Sequence, residues 1–398
     1  AVLPFIHLFM KNNSYSLSYI RVLYAMWLVR TVLSYLLTYR KSLLIADQKE
    51  YIASITGLIL NVVSYLAIIL LVTWEQNYLL ALGIGTVTEV VLNIWISWYV
   101  EQKYPFLRQR RKEKSTSSLT KRIVRDLKSL FISRISEKML YCTDNLIISG
   151  FIGVGTVGRY ANYCMITQAI SNILTILANT IQPTVGDYFT EKNRQRNYEI
   201  LRQLTFGFFC IASVVSVGLF SLITPFVRDI WLGPSYELGW GITVFCIVVL
   251  LVRIMGLPLS LVMGVTGLFE KEKNVGASSA LLNLIVSLAL VKPYGMAGVL
   301  LGTLLSYLLQ ILYRYIIYFR DFLEMPGEAL RYAQDIGEYL AVIAGEVLLM
   351  QKIVPLIYGA GGMLLFCVCF LLCIAIPLLL DLVIFGRGWR LQSIVTMV

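Results

Sequence analysis

Eleven stretches of this chain are each close to the length of a membrane crossing and almost wholly apolar. They fall near residues 17–44, 52–74, 79–100, 131–152, 163–189, 204–226, 241–268, 275–291, 297–319, 338–356 and 363–385. A run of about 20 apolar residues, rising 1.5 Å per residue as a helix, crosses a hydrocarbon layer about 30 Å thick. Inside that layer no water meets the backbone amides, so only helices or a closed barrel can cross it. The runs are too long for strands and show no alternation with period two, so they predict helices. With 58% hydrophobic and only 14% charged residues, the chain reads as an all-α polytopic membrane protein. A partial apolar run at 1–10 begins without Met and without a signal peptide, which predicts a chain truncated at its N-terminus.

The net charge of +11 invites a nucleic-acid reading, and its distribution argues against one. Alternate loops, those at 40–49, 101–130, 192–202, 271–273, 314–331 and 387–390, hold 24 of the 34 Lys and Arg residues, and the opposite loops hold five. That asymmetry assigns the first set to the cytoplasm and explains the charge through membrane orientation. The basic stretch 101–130 is then a cytoplasmic linker, either simply solvated or resting on anionic lipid headgroups.

The chain also repeats itself. Leu251-Val252-Arg253 echoes Leu28-Val29-Arg30, Lys271-Glu272 echoes Lys49-Glu50, and Leu282-Asn283 echoes Leu60-Asn61, in the same order and with spacing kept to within one residue. Five predicted helices lie between the two arginine helices, so both run in the same direction. This predicts two parallel-repeat six-helix lobes followed by a C-terminal helix pair. The expected parts are a partial N-lobe at 1–100, the linker at 101–130, a C-lobe at 131–320, and a cytoplasmic connection with two further helices at 321–398. Against the later half, the N-lobe lacks two helices and most of a third.

Arg30 and Arg253 each lie about 20 Å from either end of an apolar run, too deep to snorkel well. A charge at that depth costs about 3 kcal/mol on insertion scales, so it should face a wet cavity or a partner. Either the two form an anion site between the halves, or each is a structural ion pair. Arg21 lies nearer a helix end and reads as interfacial. Helix 131–152 carries a polar stripe, Arg134, Glu137, Lys138, Tyr141, Asp144, Asn145 and Ser149, with Asp144 the deepest. Asp144 is a candidate proton or cation site, structural ion pairing being the other reading. Glu89 and Glu346 are further mid-helix acids that could pair with an arginine or titrate. Gly256 and Pro258, just after Arg253, should bend their helix. Tyr24, Tyr35 and Tyr141 are aromatic candidates for stacking on sugars.

No catalytic residue, metal site or cofactor is expected. The seven cysteines sit in apolar runs without CxxC spacing, and His7 is the one histidine. The outer loops are too short to house the catalytic groups of a membrane-embedded glycan polymerase or ligase.

Tyr141-Cys142-Thr143-Asp144-Asn145-Leu146-Ile147-Ile148-Ser149, followed by Val157-Gly158-Arg159-Tyr160-Ala161-Asn162-Tyr163, resembles the seventh-helix region of bacterial polysaccharide repeat-unit flippases. These belong to the multidrug/oligosaccharidyl-lipid/polysaccharide exporter superfamily. Ile230-Trp231-Leu232-Gly233 and the segment Arg40–Lys49 are similar to further motifs of that family. The resemblance implies twelve or fourteen helices in two lobes, alternating access, and an undecaprenyl-pyrophosphate-linked oligosaccharide as cargo. It implies residence in the bacterial cytoplasmic membrane. A polysaccharide polymerase and a chain-length regulator would be partners, and a proton or sodium gradient would drive the cycle. A drug/cation antiporter of the same superfamily is the alternative, though it would want acids rather than arginines lining its cavity.

Overall fold

The computed structural model describes residues 16–36, 38–47, 49–75, 77–105, 142–189, 193–359 and 361–385. Among them there is no strand. The chain is an all-α, multi-pass membrane protein, in which eight helices of the described residues are long and apolar enough to cross a bilayer. The eleven expected runs reduce to eight for three reasons. The run 17–44 is two helices and not one. The run 131–152 is described only over 142–152. The runs 275–291 and 297–319 form one helix with a sharp kink. The linker 101–130 beyond residue 105, together with His7, Arg134, Glu137, Lys138 and Tyr141, lies outside the described residues.

The chain divides into two compact units at residues 123 and 124. The first contains α1 (Leu17–Leu36), α2 (Thr38–Ala46), α3 (Glu50–Glu75) and α4 (Tyr78–Lys103). Asn77 starts α4 by accepting a hydrogen bond from the Leu79 amide at 3.0 Å. One ridge of α4, with a polar or small residue at every fourth position, ties the other helices to it. Glu89 meets Arg30, the Asn93 amide donates to the Ser34 carbonyl at 3.3 Å, and Arg40 donates to Ser97 and pairs with Glu101. Below the helix end, Asp47 accepts hydrogen bonds from Lys49 and from Tyr104 Oη, the latter at 2.6 Å. The bond from Lys49, then that from Tyr104, holds the Asp47 carboxyl below the usual carboxylate range. On the other side α3 turns Leu58, Ile59, Val62, Val63, Leu66 and Leu70 outward, as expected of a helix bathed in apolar surroundings.

The second unit contains α5 (residues 142–151), α6 (Val154–Phe189), α7 (Arg194–Pro225), α8 (Trp240–Val265), α9 (Phe269–Ile316), α10 (Pro326–Tyr358) and α11 (Met363–Phe385). α7 is central: α8, α10 and α11 all pack on it. Asn193 caps its start through the Arg196 amide, and Pro326 opens α10 in the first turn, where its missing N–H costs nothing. Several helices outrun their apolar stretches. α6 begins at 154 rather than 163, α7 at 194 rather than 204, and α10 at 326 rather than 338. The segment 153–162, expected as a loop, is mostly helix, and Arg194, Arg196, Arg202, Arg314 and Arg331 are helical. An apolar run marks the crossing, but headgroups and water solvate the turns beyond it, and nothing in their sequence stops the helix.

α9 folds back on itself at Gly295, whose φ of 58° suits a residue without a side chain. Its two arms form an antiparallel hairpin. Gly298 and Gly302, four residues apart on the second arm, let the first arm approach so closely that a Cβ at Gly298 would collide with the Leu290 carbonyl. Polar groups cross the seam at Asn283–Thr303 (2.9 Å), Ser287–Val299 O (3.3 Å) and Gln310–Ser279 (2.9 Å). At the far end Arg202 of α7 forks onto Asp335 of α10 with bonds of 2.7 and 3.0 Å. In α8 the backbone stays helical through Pro258, and Gly256 admits Ile311 of α9 at close range.

Candidate functional site

α1 presents Arg30 toward α4, where its guanidinium lies 3.6 Å from Glu89 Oε1. Both side chains are about one-third exposed, so the pair lies at the edge of the unit rather than in its interior. The close approach needs Gly85: a Cβ there would stand 2.8 Å from Arg30 Nη1. Arg30 and Glu89, two separate candidates in the sequence, thus neutralise each other within the first unit. Tyr35 is exposed and Tyr24 half-buried.

Arg253 sits in α8, and its guanidinium lies over the Tyr307 ring of the second α9 arm, 5.5 Å from the centroid. Each unit therefore holds its deep arginine against the helix that ends its own hairpin: α1 against α4, α8 against the second arm of α9. The positions met, Gly85 and Tyr307, are 222 residues apart, close to the 223 that separate Arg30 from Arg253.

Asp144 lies on α5. It is 4% exposed, and its two oxygens accept from Thr303 Oγ1 at 2.7 Å and Asn283 Nδ2 at 3.4 Å. The Asn283 amide is shared with Thr303, and its Oδ1 is buried without a hydrogen-bond partner. Three helical segments thus converge on one carboxylate through neutral oxygens and an amide. This is the donor set of a hard monovalent cation or a proton: a single formal charge, with hydroxyl and amide oxygens able to turn toward a guest.

Asp144 and Arg253 line a single cavity of about 80 Å³, walled also by Tyr160, Gln168, Thr303 and Tyr307. That volume holds an ion with a water or two. Asn145, exposed on the next step of α5, reaches the same cavity. Ser149 instead bonds back to the Leu146 carbonyl. Glu346 is elsewhere, buried on α10 against Ser213 of α7. Sequence reasoning singled out Asp144 but not its partners. Their signal was present: Ser279, Asn283 and Ser287 recur at steps of four in an otherwise apolar helix, opposite Gly298, Gly302 and Ser306. All seven cysteines are free thiols, and no cluster of three metal-ligating side chains occurs among the described residues.

Residues 1–189 match the family model described as polysaccharide biosynthesis protein. Among solved structures the chain is similar to lipid II flippase MurJ in an inward closed conformation, with a TM-score of 0.66 and 15% identity over 96% of this chain and 78% of that one. At that identity the likeness is one of fold. No match is found among curated relatives. The family match and the fold agree with the flippase resemblance carried by the sequence motifs.

Proposed function

We propose that this flippase-like membrane protein translocates lipid-linked oligosaccharides, with an undecaprenyl-pyrophosphate-linked repeat unit as cargo, across the bacterial cytoplasmic membrane by alternating access. The observation that carries the reading is the shared cavity of Asp144 and Arg253. While Asp144 is ionised, it balances the arginine charge. A proton or sodium ion on Asp144 cancels that balance and frees the guanidinium field for an anionic headgroup. The cavity is too small for a pyrophosphate with its sugars, so the cargo meets Arg253 in a more open conformation, and occupancy of Asp144 biases which conformation prevails. The pyrophosphate suits a guanidinium, whose fork can bind two oxygens at once.

Arg30 plays the equivalent part in the N-lobe, with Glu89 as the acid that neutralises it between cycles. The sequence repeat and the matching arginine contacts in each unit support two lobes related by duplication. Coupling ions are assigned to Asp144. No residue is assigned a catalytic role, and binding and conformational change suffice for the task. Membrane lipids surround the helices, and a polymerase and chain-length regulator would receive the product at the outer face. A cation antiporter of the same fold is the second reading, favoured only by the acid in the cavity.

Complementation of a flippase-deleted strain tests the reading. Arg253→Ala and Arg30→Ala should each lose most of the surface polysaccharide, and Arg253→Lys should keep part of it, because lysine retains the charge without the fork. If both alanine variants reach the membrane at normal levels and restore full polysaccharide, the arginines are structural and the reading is wrong.

A further inference from the structure

α7, α10 and α11 enclose a second pair of acids, away from the Asp144 cavity. Glu346 of α10 and Asp381 of α11 are each 3% exposed. Between them stands Ser213 of α7, fully buried, whose hydroxyl donates to Glu346 Oε2 at 2.6 Å. Ser213 faces Asp381 as well, and the two carboxyls lie close enough to feel each other's charge. Yet Glu346 Oε1 and both oxygens of Asp381 have no hydrogen-bond partner. Neither acid has an ion pair with any described residue. Among the described residues the Cys210 thiol, one turn earlier on α7, faces them as well.

Four rings, Phe206, Phe209, Tyr339 and Phe385, form a layer on the side toward Arg202, every pair in contact with centroids 4.4 to 6.0 Å apart. This layer keeps water from the acids on that side, so solvent does not meet their unbonded oxygens there.

Ionised carboxylates only accept hydrogen bonds, and the site supplies one hydrogen, from Ser213. Two such charges side by side, unpaired and within the membrane, are strongly disfavoured. A proton eases both faults: it removes one charge and turns one acceptor oxygen into a donor. A metal ion fits less well, since neither Cys210 nor any other described side chain completes a group of three metal ligands with the two acids. We infer that Glu346 and Asp381 form a proton-binding site that holds at least one proton between them and joins α10 and α11 to α7. The two acids act as a coupled pair, so the proton belongs to both. Its departure sets two like charges against each other between the C-terminal helices and loosens their packing on α7. The site stands apart from the ion proposed at Asp144 and does not depend on the translocation reading.

Infrared spectroscopy of the purified protein in lipid nanodiscs, at neutral pH in light and heavy water, tests this directly. Wild type should show a protonated-carboxyl C=O band that shifts on deuteration and is missing from the double variant Glu346→Gln with Asp381→Asn. The double variant mimics the protonated pair in shape and should melt no earlier than wild type. Should it fail to fold, Asp144→Asn decides: the carboxyl band should survive in that variant, bleach on alkaline titration and stay in place with added sodium, and its absence there would overturn the inference. A wild-type spectrum without a protonated-carboxyl band at neutral pH, an identical band in the double variant, or displacement of the band by sodium would overturn the inference.

Discussion

Thr303 and Asp144, 159 residues apart, meet at 2.7 Å and tie α5 to the second arm of the α9 hairpin. The bond is buried, and it is the shortest that Asp144 accepts. Around it the site is built from neutral groups, so one formal negative charge faces the Arg253 cavity.

Thr303→Val keeps the shape and removes the donor. Asp144 then lacks its better hydrogen bond, and a buried acceptor so deprived costs about 1–3 kcal/mol. Thermal unfolding in detergent should show a lower midpoint for Thr303→Val and a nearly unchanged one for Thr303→Ser. Equal midpoints for wild type and the valine variant would mean that Thr303 does not hold Asp144.

Gly85 tests the arginine seat in the first unit. Alanine at 85 would place its Cβ 2.8 Å from Arg30 Nη1, and the flexible guanidinium can swing away at little cost. Stability should therefore change by less than about 1 kcal/mol, although Gly85 is buried, because the side chain it meets can move. Polysaccharide export should fall because Arg30 has moved. Normal export alongside normal membrane levels would show that the position of Arg30 is immaterial.

Gly298→Ala addresses the hairpin. Its Cβ would run into the Leu290 backbone carbonyl, which cannot swing aside, so the arms must part. Overpacking of this kind costs about 1–3 kcal/mol. The variant should melt earlier than Gly85→Ala, and a wild-type melting point would show that the two arms are not in close contact.

The helices were legible because burying a backbone in hydrocarbon admits so few solutions, and the fold-back at Gly295 sat where Pro293 and Gly295 interrupt an apolar run. What escaped were partners brought together over long separations. Nothing local announces that Arg30 meets Glu89, 59 residues on, or that Asp144 meets Thr303. Asp381 was overlooked because an acid four residues from the end of an apolar run looks interfacial. Only the packing of α11 on α7 shows it buried beside Glu346. Helix starts were misjudged because hydropathy reports where lipid begins and not where the helix does.

The charge asymmetry of the loops predicts the orientation, with 101–130 on the cytoplasmic side and 227–240 outside. In a cysteine-free background, an impermeant thiol reagent applied from outside should label Ser235→Cys and spare Ser117→Cys. The reverse pattern would invert the whole arrangement.

The direct test of the account is cargo flipping in proteoliposomes by the wild-type protein and by Asp144→Asn, measured with and without imposed proton and sodium gradients. Asparagine removes the charge that balances Arg253 and imitates an occupied ion site. The wild-type rate should respond to one of the two gradients, and the Asp144→Asn rate should respond to neither, while Arg253→Ala abolishes flipping under every condition. An Asp144→Asn protein that flips cargo with the gradient dependence of wild type would contradict the claim that the shared cavity couples ion to cargo.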